Sequence, residues 1–167
     1  MTAYKSISWI AAIAWMAVIF YLSHQPGSAS SDLSSGIVAA LLDLMDRVAP
    51  ALDFDVESFH TFVRKNAHFI AYFLLSLLSL NAWRSSGFRG LKQLALGFGM
   101  CALFAATDEI HQLFIDGRSG EVRDVLIDSA GAGLGVAVYV IAEKVWSLRK
   151  KNTEKSAKNR NNNKNFS

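Results

Sequence analysis

The chain predicts an all-α, polytopic membrane protein with four short transmembrane helices and an extracytoplasmic amphipathic helix. Two observations carry that reading. Hydrophobic residues make up 51% of the 167 residues against 19% charged, outside the usual soluble balance. The apolar residues are also gathered into runs. Ile7 to Leu22 is uncharged, Ala67 to Trp83 holds only His68, Leu94 to Ala106 is uncharged, and Val125 to Ala142 holds only Asp128. Crossing roughly 30 Å of hydrocarbon takes about 20 helical residues, so the thirteen-residue third run must be completed by its flanks. Its completion draws Asp108, Glu109 or His111 toward lipid at one end and leaves Lys92 to snorkel at the other.

The first run is longer than the apolar core of a signal peptide and reads as a span, although Lys5 precedes it and small residues follow. His24-Gln25-Pro26-Gly27 then stops the helix. Ile37, Leu41, Leu44, Met45 and Val48 recur at helical spacing between Asp43, Asp46 and Arg47, the pattern of a helix lying in the outer interface or folding over a site as a lid. Asp55 and Glu57 open the second helix, on which Lys65, His68 and Tyr72 share a face at i, i+3 and i+7.

Charge sets the orientation, because short loops rich in Lys and Arg stay cytoplasmic. Arg84, Arg89 and Lys92 form one such loop, and the tail after Trp146 has seven bases against Glu154. Both termini are therefore expected inside, in the cytoplasmic membrane, with the segments after the first and third helices outside. The net charge of +3 belongs to these flanks and gives no reason to expect a nucleic-acid partner. Residues 1–146 read as one membrane domain and 147–167 as a basic, low-complexity tail expected to be disordered. Cys101 is the single cysteine, so neither a disulfide framework nor a cysteine-based metal motif is present.

Function is expected where charge meets this apolar frame. Between Thr107 and Gly131 stand six acids, two arginines and a histidine. Ionisable residues at the edge of lipid are expensive and mark a site by default. Asp108, His111 and Gln112 share a helix face, with Glu109 beside Gln112. Asp116-Gly117-Arg118 turns the chain, and Asp124, Asp128, Gly131 and Gly135 then form one stripe, carboxylates outermost and glycines deeper.

At these residues the chain resembles the VanZ-like family of membrane proteins. The matching pieces are Ser23-His24-Gln25-Pro26, Lys65 to Tyr72, Asp108-Glu109-Ile110-His111-Gln112, Gly117-Arg118, and Asp124 to Gly131, spread over Trp9 to Tyr139. Many members carry Asn where this chain has Asp128. The family takes its name from a protein associated with reduced susceptibility to teicoplanin, so the resemblance implies a fold and a site more directly than a reaction.

Three functional readings follow. In the first, Gln25, Lys65, His68, Tyr72, Asp108, Glu109, Gln112, Arg118, Asp124 and Asp128 bind a lipid-linked wall precursor or a lipoglycopeptide, with Lys65, Arg118 and Arg123 meeting its acidic groups. In the second, an enzyme uses Asp108, Glu109, Asp124, His68 or His111 as acid or base. A divalent cation on Asp108, Glu109, Asp124 and Asp128 is then one open option. In the third, the charges form an ion network that only braces the helices. Oligomeric state is open in all three.

Overall fold

In the computed structural model the described residues are 2–26, 56–118 and 120–164, with isolated positions between 35 and 47; side chains are described to residue 154. Among the described residues four long helices are present: α1 (Thr2–Ser23), α2 (Val56–Ser85), α3 (Gly90–Gln112) and α4 (Val122–Lys164). No strand occurs among the described residues. Each helix extends its apolar run by a turn or more, and α3 absorbs Asp108 and Glu109, as its short run requires.

Four spanning helices were expected, and that number is corrected to three. Among the described residues, only α1, α3 and the Val122–Glu154 part of α4 are long and apolar enough to cross a membrane. With 30 residues, α2 has the length but not the composition. The physical reason lies in its position, because α2 packs against each of the other three helices. An inner helix can turn polar groups onto neighbours instead of lipid. Ser79 donates to the Gly97 carbonyl at 3.3 Å, and Asn81 joins Tyr4 at 2.8 Å and Ser8 at 3.0 Å.

The core is a thin seam shared by all four helices: Ile19 from α1, Tyr72 and Leu75 from α2, Cys101 and Ala105 from α3, and Ala132 from α4. Outward faces are apolar. Ile7, Ile10 and Ile13 of α1, Leu103 of α3 and Ile141 of α4 are each more than half exposed, which suits a surface turned to lipid. Closest approach occurs between α2 and α4. A Cβ added at Gly131 would collide with the Phe69 carbonyl, and one at Gly135 with Ser76. Glycine at these two positions lets the α4 backbone lie directly on α2.

At the end holding the α2–α3 turn, a second set of bonds ties the bundle. Arg84 donates to the Tyr139 hydroxyl at 2.8 Å and pairs with Glu143 at 3.0 Å, while Gln93 donates to Tyr139 and to the Leu80 carbonyl. Trp9 stands edge-on to Trp83 at 5.0 Å and donates to Ser86. The turn itself uses Gly87 at φ 96°, a conformation that costs glycine no steric penalty.

Two further expectations concern the tail and the amphipathic segment. α4 continues to Lys164, through the segment whose composition predicts disorder. Lys, Arg and Glu are good helix formers, and extending an existing helix needs no new nucleus. Of the amphipathic segment, Ile37, Leu41, Leu44, Met45 and Val48 lie outside the described residues. Its described positions are helical, and Arg47 pairs with Asp43 one turn away at 2.8 Å.

Candidate functional site

The polar residues gather where the end of α1, the first half of α2, the end of α3 and the start of α4 meet. Each is delivered by helix geometry. Arg64, His68 and Tyr72 follow one another at i, i+4 and i+8 along α2, and Asp124 and Asp128 do so along α4, so each set lines one face running inward. The last turn of α3 contributes Asp108, Glu109 and Gln112, all buried. Between them lies a narrow, partly open cavity with about 10 Å³ of room, enough for one water-sized group, bordered by Arg64, Lys65, His68, Glu109, Gln112, Arg118, Asp124, Ile127 and Asp128.

At its rim, Lys65 Nζ donates to Asp124 Oδ1 at 2.6 Å and to Glu121 Oε2 at 3.2 Å, joining α2 to α4. Deeper in, His68 Nδ1 stands 3.6 Å from Asp128 Oδ2, within ion-pair reach but too long for a hydrogen bond. Asp128 is fully buried. Glu109 accepts a hydrogen bond from the Glu121 backbone amide at 2.9 Å. Behind the cavity, Asp108 accepts from Ser23 at 2.7 Å and more weakly from Gln112 at 3.5 Å.

Carboxylates here have more acceptor capacity than these donors fill. Among the described residues, six buried polar side-chain atoms lack a hydrogen-bond partner, and five of them are at this end: Tyr72 Oη, Asp108 Oδ1, Glu109 Oε1 and both oxygens of Asp128. Leaving one buried acceptor unsatisfied costs about 1–3 kcal/mol. Such a concentration at one end makes this the candidate site.

The ion network of the third reading pairs Arg118 with a carboxylate of the cluster, and that expectation is corrected. Its Nε donates to the Gln25 carbonyl at 3.0 Å and its outer nitrogen to the Leu22 carbonyl at 3.3 Å. The last carbonyls of a helix have no partner within it, and a guanidinium fork satisfies them from outside. Burial lowers the Arg118 pKa from its ordinary value, and the Arg64 charge acts in the same direction.

His111 is also placed differently from its expected face. Gln112 turns inward onto Asp108, whereas the His111 ring leaves the carboxylates and lies against Phe20 and His24 of α1. Gln25 folds back, donating to the Tyr21 carbonyl at 3.2 Å, and does not border the cavity. Tyr72 and Asp108 lie behind its wall, Tyr72 against Phe104 with ring centroids 6.0 Å apart. Of the four carboxylates, Asp108, Glu109 and Asp124 are held by different donors, and Asp128 by none among the described residues. Among the described residues no three of His, Cys, Asp and Glu are grouped so that they could hold a metal ion.

Three participants were missed by sequence reasoning. Arg64 borders the cavity with no ion pair among the described residues, and its signal was the i, i+4 spacing to His68. Glu121 shares Lys65 with Asp124, and its i, i+3 spacing to Asp124 was legible. Ser23 was noticed only as part of a motif, because no local pattern pairs it with Asp108.

The chain has been compared with known proteins. It is 36% identical over 83 residues to the uncharacterized membrane protein YwnJ of Bacillus subtilis (strain 168), a match covering 50% of this chain and 53% of the relative. The match thus spans about half the length of that protein. No solved structure matches the chain. The family model described as VanZ/LLP1 matches residues 8–143, which take in all four helix contacts at the cavity, and this membrane protein therefore belongs to the VanZ/LLP1 family.

Proposed function

We propose that this protein binds the polar head of a lipid-like ligand in the cavity between α2, α3 and α4, at the outer face of the cytoplasmic membrane. The observation that carries the reading is the set of unpartnered buried acceptors on Asp108, Glu109 and Asp128, at and just behind the cavity wall. Acceptors call for donors, so the head should carry hydroxyl or amine groups. Arg64 at the border suits an acidic group on the same molecule. The enclosed room, about 10 Å³, takes only a water-sized group and is far below the range of drug-sized sites, so the head group seats in the mouth and inserts a single hydroxyl or amine while its tail stays in the bilayer. Lipid-linked wall precursors and lipoglycopeptides both have that anatomy, and a contribution to teicoplanin-type resistance is part of the proposal. Lys65 and Arg118 act as supports for the cavity, since both are already engaged by the protein.

The test is lipid retention. Wild type, Arg64→Gln and Asp128→Asn would be purified from native membranes and their bound lipids identified by mass spectrometry. The expected result is a lipid with a polar, hydroxyl- or amine-bearing head on wild type, at least tenfold depleted on both variants while their melting temperatures hold. Equal retention on all three would refute binding at this cavity. Expression of wild type, but of neither variant, should raise the teicoplanin concentration needed to stop growth.

An enzymatic reading is favoured by one contact, His68 against Asp128, where a carboxylate orients an imidazole beside the cavity. It requires a chemically altered lipid that depends on His68. The bracing reading is favoured by Lys65 with Asp124, which bridges two helices. It requires that loss of the carboxylates act on stability alone.

A further inference from the structure

Outside the cavity, on the other side of α3, two histidines from distant parts of the chain face each other. His24, just past the end of α1, places Nδ1 3.0 Å from Nε2 of His111 in the last turn of α3. The rings are nearly parallel, with centroids 5.2 Å apart and planes 19° apart, and Phe20 packs against both. Both rings are accessible, His24 exposed and His111 half-buried. We propose that His24 and His111 form a binding site for a borderline divalent transition ion of the Zn²⁺ or Cu²⁺ kind, which clamps α1 to α3.

The distance fits that chemistry. The two nitrogens now share a hydrogen-bond proton, which the ion displaces to the other nitrogen of the same ring. Imidazole nitrogens bind such ions at about 2.0–2.1 Å, so two bonds spanning the observed gap meet at roughly 95°, and a shift of a few tenths of an ångström opens this to a tetrahedral angle. Imidazole suits Zn²⁺, Cu²⁺ and Ni²⁺, whereas Mg²⁺ prefers oxygen ligands. Water completes the coordination on the exposed side.

The rings are also held for the purpose. Of the residues flanking His24, the Leu22 and Gln25 carbonyls are gripped by Arg118, and the Ser23 hydroxyl is bound by Asp108. These three bonds fix the end of α1 against α3 before any ion arrives. A site whose ligands are fixed in advance loses little freedom on binding. Asp108 stands one helical turn before His111, so an ion on the histidines tightens the same joint that closes the back of the carboxylate cavity.

The test uses the full chain, purified without a histidine tag, stripped with chelator and held in detergent. Zn²⁺ at a hundredfold excess over its Kd should raise Tm by about 5–10 °C, and Mg²⁺ should not. His24→Ala and His111→Ala should each remove the rise. An unchanged Zn²⁺ response in either variant would overturn the proposal. Cu²⁺ electron paramagnetic resonance on the wild type alone is independent of how the variants fold. Splitting from two equivalent nitrogens, reduced to one in each folded variant, is expected; no two-nitrogen pattern in wild type overturns the site. A pattern abolished by His68→Gln but kept in His24→Ala would overturn it too, by assigning the ion to the carboxylate cavity.

Discussion

Ser23 Oγ donates to Asp108 Oδ2 at 2.7 Å across 85 residues of sequence, inside a region closed to solvent. This bond joins the last residue of α1 to the acid that ends the α3 apolar run, and it sets the back wall of the cavity. With Arg118 on the carbonyls of Leu22 and Gln25, it makes the end of α1 a structural part of the site.

Arg118→Lys should loosen that joint. A lysine keeps the charge but cannot donate from two positions of a planar fork to two carbonyls. The expected loss is about 1.5 kcal/mol for a charged hydrogen bond, read as a lower melting temperature. A variant as stable as wild type would show that the two bonds do not hold α1.

Lys65→Met should destabilise more, because it leaves Asp124 partly buried without its cation. Breaking such a pair costs about 3 kcal/mol where burial is deep, and the remaining exposure of both side chains places this one below that figure. Adding Asp124→Leu to Lys65→Met should recover part of the loss. A double variant weaker than the sum of its singles contradicts the pairing.

Asp128→Asn should fold as well as wild type. Neither oxygen of Asp128 has a hydrogen-bond donor, so the change breaks no hydrogen bond and removes a buried charge, which offsets the weakened approach of His68 at 3.6 Å and the new amide donors. Thermal unfolding in detergent checks this, and a drop of more than about 1 kcal/mol would favour the bracing reading.

Gly131→Ala should be disruptive out of proportion to one methyl group. The added carbon meets the backbone of Phe69, which cannot rotate away as a side chain could. Overpacking of this kind costs about 1–3 kcal/mol. Gly133→Ala, where the nearest atom stands at 3.9 Å, is the matched control and should be neutral.

Although α2 lacks the composition of a lipid-facing span, it runs back along α1 inside the bundle, with Asn81 beside Tyr4 and Ser86 beside Trp9, so both termini should lie in the cytoplasm and the turn after α3 outside. In a background with Cys101 replaced, cysteines at Asp116 and Asn152, both exposed, should react with an impermeant reagent from opposite sides. Labelling of both from one side contradicts the topology.

Read alone, the sequence determined the helical class, the positions of the apolar runs and the gathering of charge after Ala106, because these depend on composition and local period. It also put the candidate polar residues on one face each of α2, α3 and α4, since spacings such as Asp124 to Asp128 are set by the helix itself. What only the tertiary structure decided is which partner each charge meets. Periodicity says that Asp108, His111 and Gln112 share an arc, but the rotation of α3 against α1 sends Gln112 inward and His111 out to His24. Composition counted α2 with the spans, yet its place among three neighbours lets it carry Ser79 and Asn81 on helix contacts. Arg118 looked like a partner for acids until the carbonyls of Leu22 and Gln25, at and just past the end of α1, came within reach. A local pattern can state a need for a partner, and only packing supplies one.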